Sequence, residues 1–330
     1  MIENRCPYRT PGDDCPCISY IRSTVPAEPG FCQRPDMFRC VEALKRKAPS
    51  VSQSSVKDFI QCPRKYYYSQ VLGLRVKPQH LSESVRLGSA WDLFIRAQHE
   101  EGFDYLPGVQ ALQLTPEQAS ILSSLTKAYK ILEIAHNPDE LIRCQHKFNV
   151  PIEQTNITGF IDRLYPKHFV ETKLSSRPEF YQQRENLIFQ LSTYFMSDES
   201  LESCRVEITR VPQLKTGWGK FTDEDPEKYS ARILSDVLSR PSFYFIGWDR
   251  QAKTFGVRFW RSEFDLDSVY QTYVWVLEEI QETARRGSWY ENHLGCHVPG
   301  PCPYLPIKRT GVVSEEIYER KEVKRNESAE

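Results

Sequence analysis

The chain has 330 residues, 40% apolar and 26% charged, enough to bury one large core or two smaller ones. A net charge of −1 argues against a protein that coats nucleic acid through a global positive field, though not against an enzyme, so any such site has to be a local basic patch. No apolar run approaches the ~18 residues of a membrane span, and the N-terminus MIENRCPYRT lacks the apolar centre of a secretory leader. The expected setting is therefore the cytoplasm, with no membrane partner. Ten cysteines in that reducing setting read as metal ligands or buried thiols before disulfides.

Residues 1–48 form a Cys-rich segment with many prolines and little periodicity. A stretch so poor in core formers needs a staple if it is to be ordered. Cys15, Cys17, Cys32 and Cys40 can offer four thiolates to Zn²⁺, although their spacing fits no standard finger or knuckle. Unliganded thiols are the equal alternative. Val41 to Lys47 reads as a short helix ahead of an Ala-Pro-Ser linker.

Ser52 to Ser55 reads as a helix N-cap region, followed by VKDFI and then Cys62-Pro-Arg64-Lys65-Tyr-Tyr67-Tyr. Basic and aromatic residues alternate there, which suits a helix lying beside nucleic acid and equally suits a core face with a solvated edge. The order Ser-x-Ser-x-Val-x-x-Phe-x-x-Cys-Pro-Arg-Lys-Tyr-Tyr-Tyr resembles the opening helix of the RecB-like branch of the PD-(D/E)XK nuclease superfamily. That resemblance implies that Cys62 is the first ligand of a [4Fe–4S] cluster whose other ligands lie near the C-terminus. The alternation offers Arg64, Lys65 and Tyr67 as nucleic-acid contacts. In the same branch a helix begins Leu-Gly-x-x-x-His with a metal-ligating His; here Gly88 stands in place and Asp92 occupies the His position. Asp is a competent oxygen ligand for Mg²⁺ or Mn²⁺, and an Asp that simply faces solvent is the alternative.

Thr115 followed by Pro116 and Glu117 predicts a helix start, and Ile121, Leu122, Leu125, Ala128, Tyr129 and Leu132 give it an apolar stripe. Cys144 to Glu153 reads as a strand. Gly159-Phe-Ile-Asp162 is apolar up to one carboxylate, and His168-Phe-Val-Glu171-Thr172-Lys173 is a second β-rich run. A period of two puts Glu171 and Lys173 on one face and Thr172 on the other. A hairpin through Tyr165-Pro166-Lys167 brings Asp162 beside Glu171. Two carboxylates to hold a hard cation, and an ammonium to align water or offset charge, are what a Mg²⁺-dependent phosphodiesterase needs. Gln190 and Tyr194, spaced i and i+4, face one way on a helix. In the resemblance these are the GxxD, ExK and QxxxY motifs, which implies Asp162, Glu171, Lys173, Gln190 and Tyr194 as catalytic and Asp92, Asp162, Glu171 and the Thr172 carbonyl as metal ligands.

Glu202 to Pro212 reads as a strand, and Leu214 to Lys220 as a glycine-broken loop whose Lys215 and Trp218 suit a phosphate backbone and a stacked base; an ordinary exposed loop is the alternative. Tyr229 to Leu238 is an amphipathic helix, Phe243 to Trp260 a hairpin turned at 249–252, and Leu266 to Arg286 a long helix. Gly287-x-Trp289 with Asn292, Cys296, Cys302 and Pro303 resembles the branch's cluster loop, which usually carries three cysteines. His293 completes a His-x₂-Cys-x₅-Cys order, and a fourth ligand is left open between His293, His297 and a front-segment Cys. Zn²⁺ or no metal are the alternatives to a cluster.

The resemblance spans residues 52–304. It implies an α/β restriction-endonuclease-like fold over 50–307, a mixed sheet flanked by helices with a helical insertion, while 308–330 reads as a charged disordered tail. It further implies a Mg²⁺- or Mn²⁺-dependent DNA exonuclease acting at free ends in recombination, repair or phage DNA metabolism, beside recombination or replication proteins. Two alternatives stand: a catalytically inactive DNA-binding scaffold of the same fold, and a structure-specific DNA or RNA endonuclease.

Overall fold

A computed structural model describes residues 50–134, 141–217, 224–296 and 301–321. The front cysteines, the Val41–Lys47 helix, Trp218, His297 and residues 322–330 lie outside the described residues. In chain order the main elements are β1 (Ser50–Ser52), α1 (Gln53–Gln61), α2 (Pro63–Tyr66), β2 (Leu74–Val76), α3 (Glu83–His99), α4 (Leu106–Ala111) and α5 (Pro116–Ile131). They continue with β3 (Arg143–Ile152), β4 (Thr155–Leu164), β5 (His168–Ser175), α6 (Glu179–Gln182), α7 (Ile188–Ser197), β6 (Ser203–Arg210) and α8 (Pro226–Ser239). The last are α9 (Pro241–Tyr244), β7 (Val257–Trp260), α10 (Leu266–Arg286), α11 (Leu305–Thr310) and β8 (Tyr318–Arg320). The chain divides into two units, one of residues 1–77, 151–157 and 270–330, the other of 78–150 and 158–269. The segment 50–307, read from sequence as one domain, is thus shared between them.

The second unit carries a mixed sheet flanked by helices, the restriction-endonuclease-like architecture expected. β3 pairs with β4, and the path continues β4-β5-β6-β7. β4 and β5 are antiparallel with Arg163 opposite Val170, the hairpin foreseen through 165–167. β5 and β6 run parallel, joined by a crossover that holds α6 and α7, and Thr172 lies opposite Glu207. Phe169 and Val170 are fully buried on β5, as are Val206 and Ile208 on β6, as strands covered on both faces require.

Helix ends follow local chemistry. Ser52 Oγ accepts from the Ser55 N–H at 3.1 Å and starts α1. Thr115 and Gln118 form a reciprocal capping box with Pro116 in the first turn of α5. Trp91 and Phe94 of α3, Leu125 and Tyr129 of α5, and Ile233 and Val237 of α8 interlock in one apolar core. That core fixes the face of α3 that carries Asp92. The Phe243–Trp260 hairpin is only half present. Asp249 and Thr254 bridge its turn and β7 pairs antiparallel with β6, but Pro241 pre-sets a helical first turn and 241–244 coil into α9.

In the first unit, Trp289 is stacked on Tyr66 at 5.8 Å and lies 5.5 Å from Tyr67. Tyr67 is only 8% exposed, so its expected DNA contact is corrected: a ring enclosed by other rings has no face for a base. The tail is corrected as well for residues 308–321. The end of α11 and β8 lie there, β8 pairing antiparallel with β2 through Leu74 and Arg320. The Tyr318 hydroxyl donates to the Pro303 carbonyl at 2.8 Å, anchoring what composition marks as free.

Candidate active site

Gly159, which opens the GxxD motif in the middle of β4, stands where a side chain would not fit. A Cβ there would lie 2.5 Å from the Phe148 ring, and Phe148 packs edge-on against Tyr194 at 5.3 Å. Three residues on, Asp162 is held at both oxygens: Oδ2 accepts the Thr172 N–H at 2.8 Å and Oδ1 accepts from Gln145 Nε2 at 3.2 Å. Gln145 was not singled out in the sequence. A strand Gln carries no signal until its neighbour strand is known.

Glu171 is 3% exposed. Its Oε1 takes the Lys173 ammonium and the Gln190 Nε2 at 2.8 Å, and the same Gln190 amide donates to the Tyr194 hydroxyl at 2.8 Å. Gln190 thus links Tyr194 to Glu171 of the ExK pair, rather than bonding Lys173 itself. Glu171 Oε2 has no hydrogen-bond partner among the described residues. A buried carboxylate oxygen left bare is costly, and it is the lone pair a divalent cation would take.

Charge makes the same point. Burial, and then the Asp162 carboxylate, push the Glu171 carboxyl up to about 7. Asp92 stands in a recess that solvent still reaches. Desolvation by the surrounding protein, then Asp162 and in smaller part Glu171, raise its carboxyl well above the usual range. Asp92, Gln145, Asp162 and Thr172 line one cavity of about 10 Å³, the room of a single water. Asp92 and Glu171, both raised beside the Asp162 side chain, make a site suited to a hard cation. Among the described residues no three His, Cys, Asp or Glu side chains close on a point by themselves. Mg²⁺, however, is commonly held by one or two carboxylates and keeps several waters. Asp162 and Glu171 would hold it, with Asp92 at its edge.

Lys173 behaves differently. Burial works against its charge, but Glu171 and Asp162 outweigh burial and raise its pKa above the ordinary lysine value. It remains an ammonium, so it can orient and neutralise but cannot act as a base near pH 7.

Residues 50–197 match the family model of the PD-(D/E)XK nuclease superfamily. The matched span contains all of α1, α3, β4, β5 and α7, and so every residue of the GxxD, ExK and QxxxY motifs. Nucleases of this superfamily typically use Mg²⁺ or Mn²⁺, the cations that the bare Glu171 oxygen and its crowded neighbours suit. No curated protein matches the chain.

Beneath these residues lies a network that sequence reading missed. Arg163, 2% exposed, donates to Glu207 Oε2 at 2.5 Å and to Thr172 Oγ1 at 3.0 Å. Arg205 reaches the other Glu207 oxygen at 2.9 Å. The available signal was the alternation of β6, which puts Ser203, Arg205, Glu207 and Thr209 on one face of the strand, so that Arg205 and Glu207 are neighbours on a face that the fold buries.

The first unit contains the remaining expected residues. Cys62 Sγ accepts the Asn292 N–H at 3.4 Å, Cys296 Sγ donates to the Asn292 carbonyl at 3.7 Å, and the Cys302 N–H donates to the Cys296 carbonyl at 2.7 Å. His293 Nδ1 lies 2.8 Å from Lys308 Nζ, which itself is 3.6 Å from Cys296 Sγ. Lys65 is engaged by Asp58 at 2.7 Å and Gln61 at 2.8 Å, and Arg64 lies over the Tyr67 ring at 5.9 Å. Lys215, in the second unit, is exposed.

The Glu171 shift has a consequence for stability without metal. A raised carboxyl holds a proton in the folded state that the unfolded chain, with an ordinary value of 4.5, has lost. Its contribution is full below about pH 4.5 and disappears as pH rises through about 7, amounting to about 3 kcal/mol at most. In EDTA, Glu171→Gln should flatten the fall in urea midpoint between pH 5 and 8. An unchanged pH slope would rule out the burial of an unrelieved carboxyl.

Proposed function

We propose that the chain is a divalent-cation-dependent DNA exonuclease. The bare, buried Glu171 Oε2 beside Asp162 and the Lys173 ammonium carries this reading. A bound cation supplies Lewis-acid polarisation of the scissile phosphate and a more acidic water. Asp162 and Glu171 would hold the cation, and hydrogen bonds from Thr172 and Gln145 to Asp162 and from Gln190 to Glu171 fix their rotamers. Lys173 donates to the attacking water and offsets charge on the phosphoryl oxygens. The water oxygen bonds to phosphorus as the opposite ester P–O bond breaks with its electron pair on the leaving oxygen; the water's proton passes to solvent and the leaving alkoxide takes up a proton from solvent. Action at ends, and a role in recombination, repair or phage DNA metabolism alongside other proteins, rest on the resemblance to the RecB-like branch.

The test compares linear with covalently closed circular DNA, each with Mn²⁺ or EDTA, for wild type and Asp162→Asn. Loss of linear DNA alone, only with Mn²⁺ and only in wild type, is the expected result. Nicking of the circle would favour an endonuclease, and no cutting of either would favour a DNA-binding scaffold.

The proposal extends to a [4Fe–4S] cluster held by Cys62, Cys296 and Cys302. What supports it is that the first two thiols both bond Asn292 and that Cys302 bonds the Cys296 backbone. Lys308 Nζ also donates to Cys296 Sγ at 3.6 Å. Anaerobically purified protein should be brown, and Cys62→Ser should remove the visible absorption. A colourless wild type with no iron would sink this part.

A further inference from the structure

Left-handed backbone is uncommon away from glycine, because a Cβ then crowds the following carbonyl oxygen. Among the described residues, Gln113, Glu133, Gln145, Glu153 and Lys253 adopt it without being glycine. Gln113 and Glu133 stand just past the ends of α4 and α5, and Glu153 and Lys253 lie in turns. At those four the chain has to change direction, and the conformation serves that change. Gln145, with φ 48°, lies inside β3, where extended backbone is the unstrained choice.

What this backbone secures is the position of one amide. Gln145 is half-buried and lines the same small cavity as Asp92, Asp162 and Thr172. Its Nε2 donates to Asp162 Oδ1 at 3.2 Å. The Thr172 N–H, on Oδ2 at 2.8 Å, is part of the backbone and holds one oxygen only. A carboxylate held at one oxygen still turns about its Cβ–Cγ bond, and the bond from Gln145 stops that turn. An amide suits the task. It donates without bringing a positive charge, so it fixes the carboxylate without competing with a cation for it, as a lysine or arginine would. Backbone strain that persists inside a regular element points to a site held in one geometry. Hydrogen-bond partners behind a metal-binding carboxylate typically change metal affinity about 10–100-fold when they are removed.

Resting on the cation-dependent reading above, we infer that Gln145 is a positioning residue: its left-handed backbone aims the amide at Asp162 Oδ1 and sets the affinity of the Asp162–Glu171 pair for a divalent cation. Gln145 acts through Asp162 and not through contact with the phosphate.

The test measures Mn²⁺ binding to the full chain without DNA, from the electron paramagnetic resonance signal of free Mn²⁺, beside urea midpoints in EDTA. Gln145→Ala and Gln145→Gly both remove the amide, and each should raise the Mn²⁺ Kd about tenfold or more. Glycine alone is at ease at positive φ, so Gln145→Gly should unfold at higher urea than Gln145→Ala; an ordinary strand position gives the reverse order. Affinity that stays low in the glycine variant while stability recovers separates positioning of Asp162 from support of the sheet. In an Asp162→Asn background, Gln145→Ala should change the Kd less than about twofold, because the carboxylate it positions is gone. Four results would each overturn the inference: a wild type that takes up no Mn²⁺, an alanine variant with wild-type affinity, a glycine variant less stable than the alanine one, or the full loss repeated in the Asp162→Asn background. DNA cleavage is read separately. A wild type that binds Mn²⁺ and leaves linear and circular DNA intact would refute the nuclease reading and leave the role of Gln145 standing.

Discussion

Lys173→Ala should lower DNA cleavage about 10²–10³-fold, the scale seen when a single preorganised donor to developing charge is removed, while binding of uncut DNA in EDTA changes only a few-fold. The reason lies in its charge state. Glu171 and Asp162 raise the Lys173 pKa, so the residue contributes a fixed positive charge with hydrogen-bond donors. Two effects of the substitution act in one direction. The attacking water loses its donor, and Glu171 Oε1 loses its ion pair, leaving a carboxyl already near pH 7 still harder to ionise. A weaker hold on the cation follows. Titrating Mn²⁺ separates the two: excess metal should restore the second loss and not the first. Lys173→Arg, which keeps the charge on a bulkier group, should fall between alanine and wild type. An alanine protein that cuts linear DNA at the wild-type rate would remove Lys173 from the reaction, and with it the mechanism proposed.

What could be read in the sequence was whatever depends on neighbours along the chain. The Ser52 cap, the Thr115-Pro116 helix start and the turn at 165–167 are local devices, and each is found where the spacing put it. The face shared by Glu171 and Lys173 follows from the period of a strand, and the Gln190–Tyr194 pair from that of a helix. What could not be read depends on a partner far away. Arg163 meets Glu207 across 44 residues, and until those strands are paired both look like ordinary surface charges. Tyr67 was misread for a related reason. Its burial depends on Trp289, more than 200 residues later, and alternation of basic and aromatic residues does not say which of them the core claims. The tail shows the same limit: a charged stretch looks free until Tyr318 is seen bonded to Pro303.

The largest effect on stability is expected at Glu207. Arg163 is fully enclosed, and its pKa is raised although burial opposes it, because Glu207 and nearby tyrosines outweigh burial. Breaking a buried pair by removing one partner costs about 3–5 kcal/mol, since the other charge is left without compensation. The two sides of this pair are unequal. Arg163→Met leaves Glu207 its second cation, Arg205 at 2.9 Å, and should sit at the lower end of that range. Glu207→Leu leaves Arg163 and Arg205 facing each other with no anion between them, and should sit at the upper end. The double variant Arg163→Met, Glu207→Leu removes the stranded charge with its partner, so it should be more stable than Glu207→Leu alone. Residues that share one network are not additive. Urea midpoints of the four proteins measure this directly; a Glu207→Leu protein as stable as wild type would mean that water reaches the cluster. The same network feeds the site. Arg163 fixes the Thr172 hydroxyl, and the Thr172 N–H fixes Asp162. At temperatures where Arg163→Met stays folded, its Mn²⁺ requirement should therefore rise several-fold with little change in DNA affinity. A loss of stability with an unchanged metal requirement would confine Arg163 to holding the sheet together and leave Asp162 positioned by its own strand.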